Sequence, residues 1–241
     1  MYSIYIKELK SFFGTATGYI VIAIFLIATG LMLWVFPGDY NIIDRGYADL
    51  EGLFALAPWL YMFLCPAVTM RMIAEERQNG TMELLVTRPL TGWDIALGKL
   101  LAGWTVVLIA LLPTLVWFVS VNLLAEPQFN VDYAQFWGSW MGLLFLALVF
   151  VSVGIFSSSL SKNQIVVFIL SALFCFTLYY GFELIGSLFS GNVAYTLRTV
   201  GIHEHYSSIA RGVIDSRDIA YFLSVSALFA YFTKLRIKNT L

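Results

Sequence analysis

The sequence predicts an all-α integral membrane protein with six transmembrane helices, and three observations lead to this fold class. Hydrophobic residues make up 60% of the 241 residues and charged residues only 12%, about half the charged share of soluble domains. The charges are separated by six long uncharged runs. These runs lack the alternation of a barrel strand, and a helix pairs its backbone groups internally, as hydrocarbon requires.

Residues 1–14 predict a helix that lies in the inner membrane interface. Apolar side chains recur at helical spacing in "MYSIYIKELKSFFG", while Lys7, Lys10 and Ser11 fall on the opposite side. Such a helix buries its apolar face and turns its basic residues towards anionic head groups. The alternative is an ordinary extension of the first span.

The six uncharged runs are the predicted spans. A helix needs about 20 apolar residues to cross ~30 Å of hydrocarbon, and five of the runs are long enough. The sixth lies between Asp218 and Lys234 and is short, so it either spans almost upright or re-enters the membrane. In chain order the runs are 11–38, 52–70, 100–125, 133–161, 163–182 and 219–233.

The distribution of Lys and Arg predicts that both termini are cytoplasmic. With the N-terminus inside, ten of the 14 basic residues fall in inner connections, where short loops usually carry them. The four outer ones are Arg45, Arg198, Arg211 and Arg217. The first run is too long for a signal-peptide core, so no cleavable signal is expected. The net charge of −1 gives no basis for a nucleic-acid partner.

Residues 71–99, between the second and third spans, are unusually rich in charge. "QNG" at residues 78–80 predicts a turn, and the helix-prone piece after it must end before Pro89. Thr91 and Asp94 have the spacing of a capping box, so the third span should start there. The short amphipathic helix between these stops is either a plain connection or a lever that docks into a cytoplasmic partner.

The stretch "EERQNGTMELLVTRPLTGWDIALGKLLAG" closely resembles the signature region of ABC type-2 permeases. In that family an acidic segment, Gly-Thr, a Glu-Leu-Leu helix and a Pro-Leu turn precede the third span. "KELKSFF" near the start and "SIARGVIDSRDIAYFLSVSALFAYF" near the end extend the resemblance over residues 1–241, as one permease domain. Within the family the chain is most similar to the gliding-motility permease subunit of Bacteroidetes, and next to permeases of copper-enzyme maturation clusters.

The resemblance implies that residues 80–88 are a cytoplasmic coupling helix, seated in a groove of a separate ABC ATPase. It further implies a bacterial inner-membrane location and a second permease copy or a related membrane subunit, since one six-span chain is half a translocation path. Residues 71–99 would form the coupling loop. The residues implied to couple to the ATPase are Glu75, Glu76, Arg77, Gly80, Thr81, Glu83, Leu84 and Leu85.

The sequence has no G-x-x-x-x-G-K-[ST] motif, so it lacks the loop that cradles nucleotide phosphates. We therefore expect no catalysis by this chain alone and no cofactor within it, with ATP and Mg²⁺ bound by the partner ATPase. The hydroxyl-rich "SVGIFSSSLSKNQ" has no base placed to activate a nucleophile. Ser161 and Gln164 in that stretch predict a capping box for the fifth span.

Residues 190–218 are polar and aromatic, and we expect them outside the cell membrane, as short helices in the family resembled. An extracytoplasmic auxiliary protein or a substrate would meet this segment first. It contains His203 and His205 in "HEH". The spacing is not that of H-E-x-x-H, and on a helix the two rings point apart, so no metal site is expected unless the segment is extended.

Glu183 is the ionisable residue most costly to place in a span. It follows about 20 uncharged residues from the inner side, so we expect it near the outer interface. It has either an interface role or a switching role, pairing with an outer basic residue such as Arg198 or Arg211.

Two function classes follow. One is a transport subunit driven by a partner ATPase, exporting a substrate or driving an envelope process such as gliding motility. The other is a non-transporting transducer that passes ATP-driven motion to an envelope or secretion complex.

Overall fold

The computed structural model describes residues 1–82, 91–128, 130–212 and 215–238, and these ranges contain helices but no strand. The helices follow one another along the chain, with a π-helical turn, Thr177–Gly181, between the ninth and the tenth. They are α1 Tyr2–Phe13, α2 Ala16–Trp34, α3 Ile42–Arg45, α4 Glu51–Thr69, α5 Ala74–Gln78, α6 Gly92–Leu111, α7 Thr114–Leu124, α8 Tyr133–Ser158, α9 Gln164–Phe176, α10 Phe182–Ser187, α11 Asn192–Val200, α12 Ile202–Ala210 and α13 Ser216–Lys238.

Six helical stretches are long and apolar enough to cross a membrane, which confirms the predicted all-α membrane fold. The last is longer than its uncharged run, because the helix continues through the flanking charged residues. The stretches are Ala16–Trp34, Glu51–Gln78, Gly92–Leu124, Tyr133–Ser158, Gln164–Ser187 and Ser216–Ile237.

The fourth span, α8, forms the centre of the bundle. Within its most apolar window 78% of residues are buried, against 22% in the first and fifth spans. Small residues allow the close packing: a side-chain carbon on Gly154 would lie 2.1 Å from Thr69 Oγ1 on α4. The first and fifth spans therefore present most of their surface outwards.

Three spans change direction or pitch along their length. The second is interrupted at residues 70–73, which we call the α4–α5 joint, and the third between α6 and α7 at Leu112 and Pro113. The fifth contains the π-helical turn. Since proline removes a backbone donor and π-turns insert a residue, both are recognised causes of a bent helix.

The start of α1, the start of α6 and the end of α13 lie at one end of the bundle. The Met1 amino group is 3.3 Å from Asp94 Oδ1 in the first turn of α6, and Lys234 Nζ lies 4.8 Å from the ring centre of Trp93. Both ends of the described chain are thus on the side of the charged connection, as the predicted topology requires.

Three local predictions can be compared with the structure. Thr91 and Asp94 form the expected capping box, and α1 is a helix separate from α2, broken at Gly14 and Thr15. The capping box predicted for the fifth span is wrong. Asn163 is the N-cap and accepts a hydrogen bond from the Ile165 amide, because it directly precedes the helix, two residues after Ser161.

Candidate functional site

A fully buried lysine, Lys99, lies at the end of the bundle where the charged connection begins. Its Nζ is 2.7 Å from Glu8 Oε1 and 2.8 Å from Glu76 Oε2, and it donates to the Met72 carbonyl. A lysine ammonium has three donors, and here three oxygens surround it. Removing one partner of a buried ion pair costs about 3–5 kcal/mol. The three oxygens must therefore stay close to Lys99, which fixes the positions of the elements that supply them.

Lys7 completes the group, which we call the Lys99 cluster: Lys7, Glu8, Glu76 and Lys99. Lys7 donates to Glu76 and lies 3.6 Å from Glu8, with about half of its side chain exposed. Partial burial lowers the pKa of Lys7, but the hydrogen bond and charge of Glu76, with the charge of Glu8, raise it by more. The pKa of Lys7 is therefore above its ordinary value, and the cluster contains two basic and two acidic side chains.

The cluster joins α1, the second span and the third span. Glu8 is on the face of α1 that also buries Ile4, one helical turn earlier, and Glu76 is on the buried side of α5. The absence of a side chain at Gly98 allows α1 to pack closely against α6, since a side-chain carbon there would lie 3.1 Å from Ile4 and from the Met1 carbonyl. The glycine thus brings Lys99 within reach of Glu8.

The α4–α5 joint is held from the other side by α8. Ser158 Oγ accepts from the Ile73 and Ala74 amides, each at 3.0 Å, and donates to the Met70 carbonyl at 3.2 Å. A helix start leaves backbone N–H groups without intrahelical partners. Here a hydroxyl from a neighbouring span satisfies them, so the joint keeps a defined geometry.

The residues after the joint lead into the segment 80–88, of which residues 80–82 are described. Arg77 donates to the Ser159 carbonyl at the end of α8, and Thr81 Oγ1 donates to the Glu76 carbonyl at 3.3 Å. Gly80 has φ +69°, the left-handed turn that "QNG" predicts. A cleft of about 280 Å³ opens beside them, with Arg71 and Glu75 in its walls.

The predicted coupling residues divide into four groups. Glu75, Gly80 and Thr81 are exposed, while Glu76 is turned inwards and paired, so its charge is not presented to a partner. Arg77 is half-buried against α8. Glu83, Leu84 and Leu85 lie outside the described residues, as does most of the segment 80–88.

Lys99, Glu8 and Ser158 are site residues that the sequence analysis did not single out. A signal exists for two of them: Glu8 follows Ile4 by four residues on the apolar stripe of α1, and Lys99 lies two turns inside the helix that Thr91 caps. No comparable signal marks Ser158, because its partners come from a joint far away in sequence.

The outer end of the bundle holds the other candidate residues. Glu183 lies near the start of α10, and its Oε2 is 3.2 Å from His203 Nδ1, so its described ion-pair partner is a histidine and not Arg198 or Arg211, as the switching hypothesis suggested. His205 Nδ1 is 2.7 Å from Asp218 Oδ1. The two rings thus contact different carboxylates, and the described residues contain no group of three metal-ligating side chains.

The comparison with protein families agrees with this architecture. The family model for ABC-2 family transporter proteins matches residues 40–235, which is most of the chain and includes the joint, the third span and the outer helices. The chain belongs to the ABC-2 transporter family. No curated protein matches it.

Membership gives the chain a role as the membrane-spanning permease component of an ABC transporter. Such a component works with an ABC ATPase, and this one is a multi-pass membrane protein. In this ABC-2 permease the described ends of the charged connection, the Lys99 cluster and the joint lie together at one end of the bundle, and Glu75, Gly80 and Thr81 are exposed there.

Proposed function

We propose that this permease subunit is driven by a separate ABC ATPase that docks on the segment 80–88 and moves the second and third spans through the Lys99 cluster. The observation that carries the proposal is the buried Lys99, which joins α5, α1 and α6 and is linked through Glu76 to Thr81, at the described start of that segment. The partner ATPase supplies the sites for ATP and Mg²⁺, and this chain holds neither.

The contacts supply a path for motion. Displacing residue 81 pulls on the Glu76 carbonyl, and Glu76 is paired with Lys99 on the third span and with Lys7 on α1. The second span bends at the joint, and Ser158 guides that bend on α8. A rigid, packed core transmits such shifts as whole-helix movements.

The proposed activity is export of a substrate or the driving of an envelope process such as gliding motility. A cavity of about 360 Å³ at the outer end supports transport over a purely mechanical role. Aromatic and polar side chains of α4, α8, the π-helical turn and α12 line it, among them Trp59, Ser139, Tyr180, His203 and Arg211. Such a mixed lining is typical of ligand sites.

We place the protein in the bacterial inner membrane with both termini and the segment 71–99 in the cytoplasm, and residues 190–218 outside. The assembly contains a second permease copy or a related membrane subunit. The sparse burial of the first and fifth spans, 22% each, leaves surface for that contact. An extracytoplasmic auxiliary protein would meet α11 and α12.

The test is co-purification of the tagged permease with its ABC ATPase from membranes. Charge reversal of Glu83 combined with Leu84→Asp removes the proposed docking surface, so ATPase recovery should fall at equal permease abundance. A matched control carries Glu51→Lys and Ala55→Asp on the outer side of α4, where recovery should be unchanged. Equal recovery with both variants would contradict docking through the segment 80–88.

Transport and transduction are separated by a second measurement on the same complex. Candidate lipids and polymers are added to the complex in vesicles, and hydrolysis and movement across the bilayer are followed together. Transport predicts that a substrate stimulates hydrolysis and crosses the bilayer. Hydrolysis that responds only to an envelope partner, with nothing crossing, would support the transducer.

A further inference from the structure

Two histidines on one short outer helix contact carboxylates on two different spans. We call α11 and α12, residues 192–210, the cap. From α12 of the cap, His203 contacts Glu183 at the outer end of the fifth span, and His205 contacts Asp218 at the start of the sixth. The two histidines of "HEH" therefore make two separate histidine–carboxylate contacts, which we call the His203 contact and the His205 contact.

His205 has an acceptor at each ring nitrogen. Nδ1 is 2.7 Å from Asp218 Oδ1 and Nε2 is 3.0 Å from the Thr199 carbonyl oxygen. A neutral imidazole has one donor nitrogen, whereas the imidazolium has two. Only the protonated ring can donate to both acceptors at once.

The surroundings of His205 favour the same charge state. Asp218 is buried, with 6% of its surface exposed, and a buried carboxylate needs a cationic or donor partner. The His205 ring is stacked on Tyr221, with ring centres 3.9 Å apart, and an aromatic face attracts a cation. Loss of the proton therefore breaks one hydrogen bond and leaves Asp218 without its counter-charge.

The His203 contact is more exposed to solvent than the His205 contact. His203 and Glu183 are partly exposed, and Tyr179 and Tyr180 of the π-helical turn pack against the His203 ring with centres 5.3 Å away. The titratable groups in contact with the two histidines are thus Glu183, Tyr179 and Tyr180 from the fifth span and Asp218 and Tyr221 from the sixth. Tyr40, Glu51, Tyr206 and Arg211 line the same cavity as His203. Glu204, between the two histidines on α12, is exposed.

The remaining described contacts of α12 do not titrate near neutrality. Tyr206 donates to the Phe54 carbonyl at 2.7 Å, and Ser139 donates to the Ala210 carbonyl at 2.9 Å. Ile209 packs against Gly142 of α8. Histidine is the side chain whose charge changes between about pH 5 and 8. The His203 and His205 contacts are therefore the pH-sensitive part of the interface between α12 and the spans.

We propose that His205, assisted by His203, is a proton-operated latch that holds the cap on the fifth and sixth spans. The protonated latch is closed, and raising the pH on the outer side releases α12. This device lies at the opposite end of the bundle from the coupling segment, and its operation does not depend on the proposed partner or substrate.

The experiment measures cap opening in the full chain in lipid nanodiscs. Ile209→Cys places a thiol in the buried face of α12, and its rate of reaction with a maleimide is divided by that of the exposed Tyr47→Cys, which cancels the effect of pH on the reagent. From pH 5.5 to 8.5 this ratio should rise about tenfold, the effect expected from losing one charged hydrogen bond.

Variants on the same helix identify the group responsible. In the Ile209→Cys background, His205→Gln keeps one donor but cannot titrate, so most of the rise should be lost, and adding His203→Gln should remove the remainder. Glu204→Gln is the matched control and should keep the full rise. A flat ratio in the parent protein, or an unchanged rise in His205→Gln, would overturn the latch.

A second measurement does not depend on a folded His205 variant. The chain contains two histidines, so His203→Gln leaves one, and ¹⁵N labelling then reports His205 alone. We expect both of its nitrogens to be protonated at pH 5.5 and the proton to be lost over the range in which the labelling ratio rises. A ring that is neutral throughout would also overturn the proposal.

Discussion

Lys99 is the residue on which the inner end of the molecule depends. It is fully buried and contacts oxygens from three separate elements, and its charge is matched by Glu8 and Glu76. A buried ion pair is weak evidence for net stability, but removing one partner leaves the others uncompensated. The residue therefore fixes geometry more than it adds to the free energy of unfolding.

Replacing Lys99 with Met should lower the free energy of unfolding by about 3–5 kcal/mol, because Glu8 and Glu76 would then share a buried site with no cation from α6. The measurement is thermal unfolding of the purified protein in detergent. Lys10→Met, on the exposed side of α1, is the control and should have little effect. Adding Glu76→Gln to Lys99→Met should recover part of the loss; no recovery would show that packing, not charge, was lost.

At the scale of elements, the α4–α5 joint is the feature with the clearest consequence. The second span stops being helical at residues 70–73, and Ser158 from α8 takes up the two amides that start α5. When a neighbouring helix supplies hydrogen bonds to the free backbone groups at such a break, the two helical segments keep a defined angle and can still bend.

Ser158→Ala should destabilise the protein by about 1–3 kcal/mol, since the Ile73 and Ala74 amides would remain buried without an acceptor. Denaturant or thermal unfolding measures the loss, and faster hydrogen exchange at those two amides localises it. Ser187→Ala is the control, because Ser187 is exposed and contacts only its own helix. An equal effect of both variants would mean that the joint does not rely on Ser158.

Much of the helical architecture could be predicted from the sequence, because uncharged runs report spans directly. The capping box at Thr91 and the turn at Gly80 also follow from local chemistry. The pairing of Glu8 with Lys99, and of Ser158 with the joint, could not be predicted, since each depends on helices that meet only after the bundle packs. The same holds for Glu183, whose partner is His203 and not an arginine.

At the scale of the whole molecule, the bundle has two polar ends with different chemistry. One end carries the buried Lys99 cluster and the described start of the segment 80–88. The opposite end carries the cap, its two histidine contacts and the cavity beside Trp59. The apolar bundle between them is centred on α8, which runs as one unbroken helix from Tyr133 to Ser158.

The topology is tested with single cysteines and an impermeant thiol reagent in intact cells. Cysteines at Ser3 and Asn239 should be protected, because both termini are expected in the cytoplasm, whereas one at Asp44 should react. The native Cys65 and Cys175 are buried and free, so they contribute little background. Labelling at Asn239 with protection at Ser3 would mean that the last helix does not span.

We propose that ATP-driven motion enters the membrane through Glu76 and Lys99. The measurement that tests this most directly is the ATPase rate of the reconstituted complex with Glu76→Gln, compared with Glu204→Gln at equal ATPase recovery. Glu204 is an exposed acid on α12, away from the Lys99 cluster. We predict that Glu76→Gln uncouples the complex, leaving hydrolysis unresponsive to substrate or envelope partner, while Glu204→Gln behaves as the parent. Normal coupling in Glu76→Gln would contradict it.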